Sequence, residues 1–303
     1  SESLLPAAVQ GARSNKLHVG GNLPPKIPLR TAVSSGINAL DHLDGILLAS
    51  TRDESDVRRA IQLEEERPLW MRALWKLGLS KSIGDPRLYV LSHWSDKSAS
   101  ALFSTLAEHH VYQIATLRLY GTLLGSSDSL VRLPPAPLEL RRPPRPSRGW
   151  SIEPYSADHP SSRTYDKMLW SVAEMNRKGV PILTASDTPN LFAAPGSSLH
   201  DELGLLVRAG LTPLDAIRSA TLRPAEFQNA TDSLGTVAAG KVADFIVLDD
   251  DPTVNIANTR RISLVVSRGR AFDRRALDAM REAGTAMARE IEAYWIAREG
   301  KAK

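Results

Sequence analysis

Three polar side chains stand at the ends of short apolar runs in this 303-residue chain: Asn22 in "LHVGGNLPP", His42 in "INALDHLDG" and Asp187 in "VPILTASDTP". An imidazole and a carboxylate are common donors to a divalent cation, and a carboxylate beside a reacting water is also a general base. An amide oxygen is a neutral, hard donor that holds zinc-like ions less well than imidazole does. Seven histidines occur, at 18, 42, 93, 109, 110, 159 and 200, and no two are spaced His-x-His or His-Glu-x-x-His. A complete metal motif is therefore absent, and the lack of cysteine removes thiolate sites and disulfides. Each of the three residues also has a plain structural use: Asp187 before Thr-Pro-Asn as a turn or cap, His42 as a packed or surface histidine, Asn22 after Gly-Gly as a turn residue. Their shared position on successive strand ends is what favours chemistry.

The elements that must position them alternate between strand and helix, the pattern of βα units around a parallel sheet. Strands are expected at about 16–22, 37–42, 111–117 and 180–186, with the first stopped by Pro24 and Pro25 because proline lacks the N–H of a central ladder. A short helix is expected over 29–36, closed by Gly36, and a longer amphipathic one over 164–179. "SSLHDELGLLVRAG" and "TPLDAIRSATLRPAEF" read as one helix each, the second opened by Thr212 with Pro213 at its first position. In the first of them His200 is expected only to cap or pack.

Between 51 and 110 the text is helix-rich and charged, with Trp70, Trp75 and Leu79 spaced for a buried face, and reads as an insertion. Prolines crowd 133–155, and a loop of that length inside a compact domain reads as a lid. The expected organisation is a barrel portion over 1–233, a small β-unit over 234–272, and a C-terminal helix over 273–303.

Composition bounds the function classes. At 42% hydrophobic and 24% charged residues the chain is globular, and a net charge of +4 is modest for its length. The densest basic cluster, "RRPPRPSR" at 141–148, has no interleaved aromatics, which argues against a nucleic-acid surface. No apolar run reaches 18 residues, so no membrane span is expected. The first residue is Ser rather than Met, which suggests processing or truncation.

Five phrases, "GINALDHLDG", "KGVPILTASDTP", "SSLHDELGLLVRAGLTPLDAIRSATLRPAEF", "LGTVAAGKVADFIVLDDDP" and "LVVSRGRAFDR", resemble in order and spacing the second half of the amidohydrolase superfamily, especially its imidazolonepropionase-like and Xaa-Pro dipeptidase-like branch. The resemblance implies a (β/α)8 TIM barrel, here only its second half, with strands of a small composite β-sandwich and a C-terminal helix. It also implies a divalent metal cofactor, zinc or similar, with one or two ions in the full-length protein. By residue matching, His42 takes the place of the sixth-strand ligand, with Asp41 where the family has Glu, and Asp187 that of the eighth-strand aspartate, ligand and catalytic acid/base at once. The family's fifth-strand Gly-His-x-Pro corresponds to Gly21-Asn22-Leu23-Pro24, which puts Asn22, not His18, at the third ligand position. Geometry agrees: at ~3.3 Å per residue His18 and Asn22 stand about 13 Å apart along a strand, too far for one ion. His18 is then expected deep in the barrel as a packed histidine.

The function this implies is metal-dependent hydrolysis of an amide C–N bond in a peptide or cyclic amide; the alternative is a non-catalytic small-molecule binder. Four strands cannot close an eight-stranded barrel. A half-barrel exposes two strand edges, so truncation and pairing, with a second copy or a missing N-terminal half, are expected.

Overall fold

In the computed structural model, residues 4–24, 26–68, 82–124, 126, 130–131, 162–188 and 195–299 are described. The Pro-rich 133–155 segment, His159, Trp70, Trp75 and Leu79 lie outside them.

The centre is a four-stranded parallel sheet in chain order: β1 (Gly20–Gly21), β2 (Ala39–Asp41), β3 (Tyr112–Ile114) and β4 (Ile182–Leu183). All are shorter than the sequence suggests. In β1 the pair of glycines has a steric cause: a Cβ on Gly20 would stand 2.8 Å from the Cβ of Ala39, and Gly21 holds φ +143°. Lys16–Val19 lie outside the strand. His18 is accordingly not in the barrel interior: it is exposed, stacked on Phe227 with ring centroids 4.6 Å apart, and its Nε2 meets the Asn229 amide at 3.1 Å.

Helices cover the sheet with faces spaced three and four apart. Between β1 and β2 runs α1 (Leu29–Ser34), which buries Leu29, Ala32 and Val33. The 51–110 segment is helical where described, with α2 (Glu54–Glu65), α3 (Pro86–Ser92) and α4 (Asp96–Glu108). The last buries Ala99, Leu102, Phe103 and Leu106 and is capped by the Ser95 hydroxyl, which accepts from Ser98 N. Helix α5 (Ser162–Arg177) buries Tyr165, Met168, Val172 and Met175. Trp94 and Trp170 meet edge to face at 5.7 Å, with the Lys167 amine within 4.7 Å of both rings, so the segment before β3 is docked onto α5.

Two elements end earlier than their text suggests. The run after β3 turns at Thr116 and becomes the helix Leu117–Leu123, whose first two N–H groups are taken by the Glu202 carboxylate at 2.8 and 2.7 Å. Glu202 belongs to the helix Ser197–Arg208. The single helix expected over 212–227 is broken at Thr221 into Pro213–Ala220 and Leu222–Phe227. Pro224 cannot donate to Ala220 and its ring crowds that carbonyl, so an uninterrupted helix is not available. The break leaves the Ser219 carbonyl to accept from Thr184 N at 3.0 Å, which ties the end of β4 to this helix.

Beyond Ser233 the chain forms a three-stranded antiparallel sheet, Phe245–Leu248, Ile262–Ser267 and Arg270–Asp273, followed by the helix Arg274–Glu299. No helix among the described residues is long and apolar enough to cross a membrane.

Candidate active site

Asn22, His42 and Asp187 line one cavity of about 600 Å³ at the carboxyl end of the parallel sheet, the end at which α/β folds place their ligands. His18 and His200 are not on it. His200 packs instead against the short turn at Ile256–Arg260 through Thr259, 3.0 Å away, and burial lowers its pKa.

The strand ends are unusual in backbone as well as in side chain. His42, Thr116 and Asp187, each just past a strand of the sheet, have φ of +64°, +50° and +53°. Histidine and aspartate tolerate the left-handed region, but β-branched Thr116 is a genuine outlier, and such conformations cost about 1–3 kcal/mol each. The surrounding bonds hold them. His42 N donates to Ile114 O at 2.8 Å, and the Gln113 side-chain amide donates to the His42 carbonyl at 2.6 Å.

The His42 ring is oriented by Thr116. Nδ1 lies 2.8 Å from the Thr116 hydroxyl, and that hydroxyl donates its one proton to Ala115 O at 2.8 Å. With the Thr116 proton on Ala115 O, Thr116 accepts from Nδ1–H, an arrangement in which the neutral imidazole carries its lone pair on Nε2. An imidazole so held is prepared to ligate a cation or accept a hydrogen bond through Nε2.

The cavity's other polar lining escapes a reading of the sequence by strand ends. Tyr120, 4% exposed, packs edge-on against His42 with centroids 5.9 Å apart and donates its hydroxyl proton to the Asp44 carboxylate. Burial first, then the Asp44 charge, push its phenol far above the ordinary value, so it stays protonated. Arg58, Glu65 and Arg87 come from α2 and α3, so the 51–110 segment forms part of the wall. Asp44 was in plain sight two residues past His42; Tyr120 and Thr116 sit in a run whose text continues as strand, and Arg87 has no local signal at all.

In donor type, His42, Asp187 and Asn22 suit a divalent cation. In number they fall short: among the described residues no three His, Cys, Asp or Glu side chains gather closely enough to hold one. Asn22 contributes an amide rather than an imidazole or a carboxylate.

Parts of the chain are similar to known proteins. The Amidohydrolase family model matches residues 161–272. A 61-residue stretch is 42% identical to adenine deaminase 2 of Jannaschia sp. (strain CCS1), covering 20% of this chain and 10% of that protein. Among solved structures, a bottromycin amidohydrolase aligns with TM-score 0.64 and 19% identity over 94% of this chain and 56% of its own. A Xaa-Pro dipeptidase with bound methionine aligns with TM-score 0.55 and 14% identity, over 90% and 49%. The A. niger ochratoxinase does so with 0.54 and 19%, over 90% and 46%. The chain thus spans about half the length of the solved structures it matches. Residues 161–272 thus match the Amidohydrolase family model, and most of the chain shares its fold with about half of each of these solved structures.

Proposed function

We propose that this chain carries part of the active site of a metal-dependent hydrolase that cleaves an amide C–N bond of a peptide or cyclic amide. The observation that carries the reading is the convergence of Asn22, His42 and Asp187, from three different strand ends, on one cavity of ligand size. The shared fold of a Xaa-Pro dipeptidase and a bottromycin amidohydrolase supports it.

A zinc-like ion would be held by His42 through Nε2 and by Asp187, with Asn22 as a weaker third donor. When bound, such an ion lowers the pKa of water toward neutrality and polarises the carbonyl. The chain's own residues do the rest. Asp187 takes the proton as water adds to the carbonyl carbon and returns it to the leaving nitrogen as the C–N bond breaks, one carboxylate used twice. Thr116 holds the His42 ring, and Tyr120, fixed on Asp44, walls the site as a neutral hydroxyl.

A second reading, a non-catalytic binder of small molecules, is favoured by Asn22 and by the incomplete donor set. Metal content and hydrolysis of a Xaa-Pro dipeptide and a cyclic amide separate the two. In its full-length form the hydrolase is expected to hold about one or two ions per chain and to lose about 10²–10⁴-fold in rate on Asp187→Asn with its melting temperature kept. A full-length protein that takes up no metal at neutral pH and cleaves neither compound is the binder.

A further inference from the structure

The helix Arg274–Glu299 is the longest described element, 26 residues or about 39 Å, and little of it is covered. In its first turns Ala276, Leu277 and Asp278 are half-buried, where the helix leaves the small antiparallel sheet. From Ala279 on, every described side chain except Thr285 is exposed, Met280 at 53% and Met287 at 64%. Yet the residues are not those of a solvated rod. Leu277, Met280, Gly284, Met287, Ile291 and Tyr294 recur at alternating spacings of three and four, the period of a coiled-coil seam. Helices draw most of their stability from packing such a stripe, and over the described residues this one has the stripe without the packing.

We infer that this helix pairs, antiparallel, with the same helix of a second copy of the chain. Charge and size both choose that occupant and that direction. Residues 274–285 carry three arginines and two acids, and residues 286–299 two arginines and three glutamates. Arg274 and Arg281 share one carboxylate, that of Asp278, at 3.0 and 3.2 Å, which leaves the first half in positive excess. An antiparallel copy brings its acidic half, with Glu290, Glu292 and Glu299, alongside the basic one, and sets the two helix dipoles head to tail; a parallel copy sets like against like. The seam agrees. Antiparallel register lays Leu277 against Tyr294 of the second copy, Met280 against Ile291 and Gly284 against Met287, small opposite large at the centre. A Cβ on Gly284 would meet nothing within 4 Å, so the space in front of it is open to that methionine. Parallel register would set Gly284 against Gly284 and leave a void in the seam. A surface complementary to itself in charge and in size is what a two-fold symmetric contact requires.

The chain has no cysteine, so single cysteines report the pairing directly. Met280→Cys and Ile291→Cys are made in separate 303-residue chains, oxidised alone and as a mixture, and the disulfide-linked dimer is quantified. In the antiparallel pair Cα atoms of positions 280 and 291 face each other across the seam, while 280 and its own copy stand about 16 Å apart along the axis, beyond the reach of about 7 Å that a disulfide allows. The mixture is therefore expected to give at least tenfold more linked dimer than either chain alone. Adding Met287→Glu to both chains is expected to remove the link, and Val254→Glu, at an exposed valine outside the helix, to leave it. Linked dimer in each chain alone means parallel or random encounter and overturns the proposal. No linked dimer in the mixture, as when another segment or protein covers the stripe, overturns it too, and so does a link that survives Met287→Glu.

Discussion

At the scale of the residue, the informative feature is how His42 is held. Its Nδ1 is committed to Thr116, whose own proton goes to Ala115 O. Replacing the hydroxyl with a methyl, Thr116→Val, removes the acceptor while keeping the β-branched shape. Nitrogen-15 spectra of the histidines are expected to show His42 as the Nδ1–H form in the parent and as a tautomer mixture in the variant, with stability lower by about 1 kcal/mol. An unchanged His42 signal would contradict the assignment. Asn22, His42 and Asp187 were legible in the sequence because proline, glycine and the change from apolar to polar text mark where strands stop. Thr116 was not: "QIATLRLYG" has the composition of a continuing strand, and only the partner across the fold reveals the turn.

At the scale of the element, that partner is Glu202. It is fully buried, and its two oxygens cap the helix Leu117–Leu123 just after Thr116. Burial raises its pKa from 4.5 to about 7 against the lowering effect of the Arg118 and Leu117 N–H groups. The folded protein thus binds this proton more tightly than the unfolded chain does. Its contribution to stability is full below about pH 4.5 and is lost as pH rises through about 7. Glu202→Gln cannot titrate, and its amide can accept from only one of the two N–H groups. We expect a loss of about 1–3 kcal/mol and a flattened pH dependence between these values by scanning calorimetry. A slope as steep as the parent's would show that another group carries it. The helices themselves were legible from their apolar spacing; their ends were less so. The short strands and the break at Thr221 depend on where carbonyls find donors, as Ser219 O finds Thr184 N.

At the scale of the whole molecule, the parallel sheet has two outer strands, β1 and β4, each paired on one side only among the described residues. The small sheet also exposes Phe245, Ile246 and Val247. Unpaired strand edges and open apolar faces favour association. Sedimentation of the purified chain is expected to show a species heavier than 33.1 kDa; a stable monomer at micromolar concentration would contradict this.

The sequence by itself determined the class of fold, the order of strands and helices, and which three residues stand at strand ends, because periodicity and punctuation are local properties of the text. The tertiary structure decided what shares a cavity. Tyr120 with Asp44 and Thr116 with His42 are brought together across 76 and 74 residues of chain, and Arg87 joins the same cavity from a distant helix; no local pattern encodes such a meeting. It also decided against His18, whose place on Phe227 is set by a helix more than 200 residues away.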